Sequence, residues 1–402
     1  MDAVTITILL LIAAGALVLL YLTGMLKRPE HVVICAALIA GAFVIRGLCM
    51  DHVTLDYENF LASWVDYYRQ NGGFAALGDK IGNYNLPYLY FLAFFSYIGV
   101  YDLYLIKALS IVFDVVLAWG CMQLVGEFTK STAKKLTAFF LVLYWPTVIL
   151  NGAYWGQCDS IYAAFAVLST YLALSGRGAA GMACIAVSFA FKLQAVFIMP
   201  IFVVLLIAKR VKLWHFAVFP VTYVALMLPA VFAGYPLLDT ITLYFDQMGT
   251  VGSALNYNSS SIYAFARNVA NESLASSLGI LAAFMLMAAV FAWAFVRRRY
   301  LNNWAILGCA VILCVGIPYF LPHMHERYFF VADILTLALA VAAPEYMVLP
   351  VLTQFASLLG YHAYLKGRYL MPMSYGAVAL AVVLIGAVFF TAAQLRPAGR
   401  RS

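Results

Sequence analysis

Two imidazoles, a carboxyl and a guanidinium stand almost side by side in the segment Pro322-His323-Met324-His325-Glu326-Arg327-Tyr328-Phe329, between two apolar stretches. Three other stretches are as polar. They are Asp51-His52-Val53-Thr54-Leu55-Asp56-Tyr57-Glu58-Asn59-Phe60, Tyr154-Trp155-Gly156-Gln157-Cys158-Asp159-Ser160 and Lys192-Leu193-Gln194. Lone carboxylates, clustered cations and apolar surroundings suit group transfer from a lipid phosphate. Cations hold the leaving phosphate, a carboxylate takes a proton from the attacking hydroxyl, and apolar walls accept the lipid chain.

Each of these residues also has a plain structural reading. Asp56 suits the N-cap of a helix from Tyr57 to Arg69, and Asp159 suits the cap of the next membrane helix. Trp155 suits an interfacial anchor, and Lys192 and Arg327 suit side chains that snorkel to headgroups. Lys107 lies seven residues before Asp114 on one helix face and suits an ion pair with it. What favours function is that all four stretches occur together, with Asp114 and Asp333 inside apolar runs, because charge at bundle-facing positions in a membrane is costly.

The elements that must position these groups are membrane helices. Apolar side chains make up 65% of the 402 residues and charged ones 10%, so runs of about 20 apolar residues recur throughout. A soluble domain would have to bury many helices that are apolar on every face. The first run, Val4 to Gly24, leads into Lys27 and Arg28 and reads as a retained helix, not a cleaved signal. Cys35, Cys49, Cys121, Cys184, Cys309 and Cys314 fall in apolar runs without a Cys-x-x-Cys, so they read as core residues; Cys158 lies in a polar loop. The net charge of +7 is dispersed in short clusters at the ends of apolar runs, which is a topology signal and excludes a nucleic-acid face.

Those clusters are Lys27-Arg28, Lys130/Lys134/Lys135, Arg177, Lys209-Arg210/Lys212, Arg297-Arg298-Arg299 and Arg396/Arg400/Arg401. Placing all of them in the cytoplasm predicts about thirteen spans, roughly at 4–24, 31–50, 104–126, 136–152, 160–175, 179–192, 195–208, 214–233, 276–296, 302–320, 329–343, 347–364 and 374–395. The expectation is an all-α polytopic protein of the plasma (inner) membrane, one domain over 1–402, with its N-terminus outside and its C-terminus cytoplasmic. The acids then gather on the outer side. Asn85 to Tyr101 would break this scheme as a span and is read as a helix in or dipping into the outer leaflet, starting near Pro87. A long outer loop, about 51–103, would carry it.

The chain resembles the membrane-embedded GT-C glycosyltransferases, which use polyprenyl- or dolichyl-phosphate sugars. The resemblance rests on Leu55-Asp56-Tyr57 just after a helix and on the loop with Gly72-Gly73-Phe74-Ala75-Ala76-Leu77 and Asn83-Tyr84-Asn85-Leu86-Pro87-Tyr88-Leu89-Tyr90. It rests also on Trp155-Gly156-Gln157-Cys158-Asp159 and on His325-Glu326-Arg327, where glucosyl- and mannosyltransferases of lipid-linked glycan assembly carry His-Glu-Lys. It covers most of the chain in organisation but only short stretches in motif. Leu86 stands where a second proline is expected, Arg327 replaces lysine, and an extra helix precedes the usual first one. No large C-terminal soluble domain is expected, which favours a lipid-linked or surface glycan over peptide as acceptor.

The resemblance implies a GT-C-like bundle with its active site on the outer face. The reaction would be inverting transfer of a hexose, mannose or glucose type, from a polyprenyl-phosphate donor to a glycan or glycolipid. The family's loop acid maps onto Asp56 as base. Arg327, Lys192 and His325 would hold the departing phosphate. Asp159 and Gln157 would orient hydroxyls, Trp155 would stack on a sugar, and Glu326, His323, Gln194 and Tyr57 would complete the substrate site. A second acid also suits Mg²⁺ or Mn²⁺, although no metal ligand is assigned. Membrane lipid is the remaining partner. The rival reading is a multipass transporter or lipid-linked glycan flippase using Asp114 and Asp333. A structural membrane subunit would need no such polar loops.

Overall fold

The computed structural model describes residues 1–250, 252, 254–266 and 270–396, with the backbone alone for 245–250. Arg400 and Arg401 of the last basic cluster lie outside the described residues. Helical segments occupy every expected span, and among the described residues the one pair of strands is tiny: β1 (Asn256–Tyr257) lies parallel to β2 (Met324–His325).

Among the described residues, seven helices are long and apolar enough to cross a membrane: Ala3–Leu22, Pro29–Cys49, Asp102–Gly126, Leu213–Phe232, Glu272–Val296, Asn303–Phe320 and Met373–Gln394. An eighth is reached if Thr132–Leu143 and Pro146–Trp155 count as one span bent by 44°. The figure of about thirteen therefore does not stand as a count of full-length spans. The runs at 160–175, 179–192 and 329–343 become helices of 16, 14 and 13 residues. At 1.5 Å per residue these reach roughly 20–24 Å, short of a hydrocarbon core about 30 Å thick. The run at 195–208 is split between a 3₁₀ turn, Leu193–Phe197, and a helix of 7 residues, Ile201–Ile207. The helix Leu237–Thr250 has no counterpart among the expected spans.

Burial divides the helices by role. In the most apolar windows of Asp102–Gly126 and Asn303–Phe320, 72% and 83% of residues are buried, against 22% for Ala3–Leu22 and 17% for Glu272–Val296. The first two form the centre, and the last two turn apolar side chains outward, as a lipid-facing helix does when its surroundings are apolar too. Short helices survive because the centre surrounds them: Asp159–Leu174 packs between Asp102–Gly126 and Gly178–Phe191.

The stretch 51–103 is folded onto this bundle. It comprises a π-helical turn Tyr57–Leu61, helix Ala62–Gln70, a 3₁₀ turn Gly73–Gly78 and helix Leu86–Phe95. The last starts where expected: the Asn85 side chain accepts from Leu86 N–H at 2.9 Å, with Pro87 in the first turn, where a missing N–H is harmless. Leu86, Pro87, Tyr88, Leu89, Leu92, Ala93 and Phe95 are all buried, so this helix packs against protein on most faces.

Two buried ionic groups differ from the sequence reading. Asp114 pairs with Arg46, whose Nε and Nη2 donate to Oδ2 at 3.0 and 2.8 Å, and Ser160 Oγ donates to Oδ1 at 2.6 Å. Lys107 does not pair with Asp114. Its Nζ donates to the carbonyls of Cys49, Met50 and His52 at 2.8, 3.0 and 2.6 Å. The helix Pro29–Cys49 ends there, and the ammonium gathers its last carbonyl and two just beyond it, which the helix itself leaves without i+4 donors.

Candidate functional site

The four polar stretches, far apart in sequence, meet at one place, and Asp56 is its hub. It does not cap the following turn: its backbone is helical, and its side chain makes no capping bond. Instead Oδ2 accepts from Trp155 Nε1 at 2.8 Å and from Gln157 Nε2 at 2.6 Å, while Oδ1 accepts from the Tyr364 hydroxyl at 2.6 Å. A carboxylate oxygen has about two lone-pair directions. Oδ2 has filled both, whereas Oδ1 keeps one, so Oδ1 is the oxygen able to take a proton. The carboxylate is 19% exposed and thus reachable.

Local backbone irregularity produces this convergence. π-Helical turns bracket the partners: Tyr57–Leu61 follows Asp56, and Leu150–Trp155 leads into Trp155. Such turns re-aim side chains and are frequent at functional sites. Gly156 then adopts φ of +83°, a left-handed conformation that glycine takes without strain, which lets Trp155 and Gln157 both face Asp56. Thr54 Oγ1 donates to the Trp155 carbonyl at 3.0 Å and ties the two stretches together. Trp155 is 1% exposed and stacks on Tyr364 at 4.5 Å, so it is a wall of the site, not an interfacial anchor.

Asp159 is the first residue of its helix, after Cys158 at the cap position. Its carboxylate receives Asn151 Nδ2 at 2.7 Å and the Lys192 ammonium in a direct ion pair. Lys192 also reaches Gln157 Oε1 at 3.4 Å and lies over the Tyr84 ring at 5.4 Å. With a side chain 8% exposed, Lys192 does not snorkel. Gln157 thereby couples the two acids, because its amide nitrogen serves Asp56 while its oxygen faces Lys192 and accepts from Tyr84 OH at 2.9 Å.

Arg327 sits among three carboxylates without bonding closely to any. Its Nη1 is 3.9 Å from both Asp56 Oδ2 and Glu326 Oε1, and its Nε is 3.7 Å from Asp159 Oδ2, where it makes no hydrogen bond. The guanidinium lies over Trp155 at 5.1 Å. Burial works against its charge, but Asp159 and Glu326 more than compensate and hold the guanidinium protonated. The cation is therefore assured, and its hydrogen-bonding capacity is largely unspent.

His325 stacks on Tyr257 at 4.7 Å. Burial, then repulsion from Arg327 and Lys192, pushes its pKa down to about 4, so at neutral pH it offers a neutral N–H and not the cation that phosphate binding by charge would use. His323 turns away: Nδ1 donates to the Ala254 carbonyl at 2.8 Å, and its backbone is left-handed at φ +61°. Its backbone N–H also donates to the Leu255 carbonyl at 2.8 Å, so it holds the loop beside β1, and among the described residues no hydrogen bond or ion pair joins it to Asp56 or Asp159. Gln194 has its Oε1 buried without a partner. Tyr57 is 5% exposed and packs edge-on against Tyr101, so it supports the Asp56 turn from behind. Glu326 is buried beside Arg327.

Asn151, Tyr84, Tyr361 and Tyr364 were not singled out from sequence. Asn151 reaches Tyr361 OH as well as Asp159, at 2.9 Å. An asparagine inside an apolar run was an available signal; tyrosines in a chain with 27 of them were not. Next to Tyr84 lies a cavity of about 170 Å³ lined by Lys80, Tyr235 and Asp239 with apolar residues. Among the described residues no group of three or more His, Cys, Asp or Glu side chains is placed to hold a metal ion.

The chain matches no protein-family model and no curated protein.

Proposed function

We propose that this chain is an integral membrane glycosyltransferase of GT-C type, moving a hexose from a polyprenyl-phosphate donor to a lipid-linked or surface glycan. The observation that carries the reading is the pairing of Asp56, oriented by three donors with one Oδ1 lone pair free, with an Arg327 guanidinium held close by and not yet hydrogen-bonded. Base and anion-holding cation are the two parts that displacement at a sugar phosphate requires.

In the reaction, Asp56 Oδ1 takes the proton of the acceptor hydroxyl as its oxygen bonds to the anomeric carbon. The bond from that carbon to the phosphate oxygen breaks, and the electron pair leaves on the phosphate. Arg327 and Lys192 balance the charge that grows there, and the anomeric configuration inverts. Trp155, covered by Tyr364 and the Arg327 guanidinium, backs the base and does not stack on a sugar, and Asp159 with Gln157 holds the cations and the base in register. The outer-face placement of the site and the cytoplasmic C-terminus belong to this proposal. A carrier built on Asp114 and Asp333 draws little support, since Arg46 and Ser160 donate to the first carboxylate and Thr147 and Ser357 to the second.

The test is to supply the purified chain with labelled polyprenyl-phosphate mannose or glucose and a lipid-linked glycan, and to follow label into product with the anomer determined. Inverted product with release of polyprenyl phosphate is expected. Retained configuration, or transport of label without transfer, would remove the reading.

A further inference from the structure

One acid at the site is left unexplained by base and cation roles. Glu326 follows β2, its side chain is 1% exposed, and neither carboxyl oxygen has a hydrogen-bond partner among the described residues. It has no room to withdraw: a Cβ on Gly360 would come within 2.8 Å of Glu326 Cβ, so the helix Val348–Lys366 is packed directly against it. An ionised carboxylate so placed loses its hydration without replacement.

The groups that face it come from several elements. On its own segment are His325 Nδ1 at 3.8 Å and Arg327 Nη1 at 3.9 Å. Asp56 adjoins the π-turn and Asp159 begins its helix, both acting on Glu326 as like charges; Tyr364 faces it from Val348–Lys366. Lys192, between Gly178–Phe191 and the following 3₁₀ turn, is engaged with Asp159. Three carboxyl groups thus share two cations, and an ionised Glu326 makes the site negative before any anion arrives.

Arg327 is the cation nearest Glu326, and a bound phosphate would draw it away. We propose that binding of a phosphodiester anion at Arg327 is coupled to uptake of one proton from solvent by Glu326, so that the charge of the site stays the same. The inference rests on the lipid-phosphate donor proposed above and assigns Glu326 as a positioning and charge-balancing residue, not the base. Burial pushes the Glu326 carboxyl up to about 7 against the opposing pull of Arg327, which places the exchange near neutrality. His325, near 4, stays neutral throughout.

The experiment is calorimetric binding of a short-chain prenyl methyl phosphodiester, a monoanion across the range, to the full chain in detergent. It is run from about pH 6 to about pH 9, in buffers of different ionisation enthalpy. Above about pH 7 the expected affinity falls about tenfold per pH unit, with close to one proton taken up per anion. Glu326→Gln is expected to lose both the slope and the uptake, and Glu326→Asp to keep them. Should the glutamine variant not fold, proton uptake by the natural protein decides. Binding without uptake, or a slope that persists in Glu326→Gln, overturns the coupling while leaving the donor reading intact. No phosphodiester binding at any pH by folded protein overturns both.

Discussion

Replacing Lys107 by methionine keeps the side chain's length and removes its charge, and the structure states what that should cost. Three carbonyls lose the ammonium, those of Cys49, Met50 and His52, at 2.8, 3.0 and 2.6 Å, and only that of Cys49 keeps a backbone donor, His52 N–H at 3.2 Å. Bonds from a charged donor contribute about 1.5–3 kcal/mol each, roughly 5–9 kcal/mol in all. Against this stands the relief of no longer burying an ammonium that is 0% exposed, several kcal/mol. The expected net loss is about 2–4 kcal/mol. It should appear as a lower midpoint of thermal unfolding in detergent and as faster labelling of the partly exposed Cys49 thiol as the helix end frays. Adding Asp114→Leu should not rescue the variant, because Asp114 is held by Arg46. A stability change under about 0.5 kcal/mol would refute the cap, and rescue by Asp114→Leu would restore a Lys107–Asp114 pair.

The same cycle with Arg46 should behave in the opposite way: Arg46→Met alone leaves a buried carboxylate and costs about 3–5 kcal/mol, while Arg46→Met with Asp114→Leu recovers most of it, read as denaturation midpoints. Tyr364→Phe removes the single donor on Asp56 Oδ1 without changing the stacking on Trp155; turnover should fall about tenfold with little change in stability, for one lost bond to a charged acceptor. The pair His325 and Glu326 should titrate in opposition. The folded protein keeps the Glu326 proton between the ordinary 4.5 and about 7, so that residue lowers stability as pH rises through this window; His325 stays deprotonated from about 4 to its ordinary 6.5 and raises stability over nearly the same window. Relative to the natural protein, stability should therefore climb with pH in Glu326→Gln and fall with pH in His325→Gln over this window, each by on the order of 3 kcal/mol.

Helix positions were legible because apolar run length and basic clusters are written locally along the chain. Span number was not: 160–175 and 329–343 are apolar enough to span but end in short helices, since neighbouring helices, not lipid, surround them. The meeting of Asp56, Asp159, Lys192 and Arg327 was legible from their shared polarity in apolar surroundings. Their partners were not, because spacing along one helix cannot show what reaches it from another. Lys107 and Asp114 sit on one face, yet Arg46 supplies the charge from a different helix. Asp56 looked like a cap, and only the fold brings Trp155, Gln157 and Tyr364 to its oxygens. His323 and His325 look equivalent in sequence, and the strand pairing with 256–257 separates them.

Asp56 is proposed as the base of a glycosyl transfer from a lipid phosphate. The most direct measurement is single-turnover hexose transfer from a polyprenyl-phosphate donor by Asp56→Asn, checked for a natural unfolding midpoint and for retained donor binding. The amide keeps the shape and much of the hydrogen bonding but cannot take a proton. Transfer should slow by about 10²–10⁴-fold with donor affinity little changed. Transfer at the natural rate by folded Asp56→Asn would contradict the account.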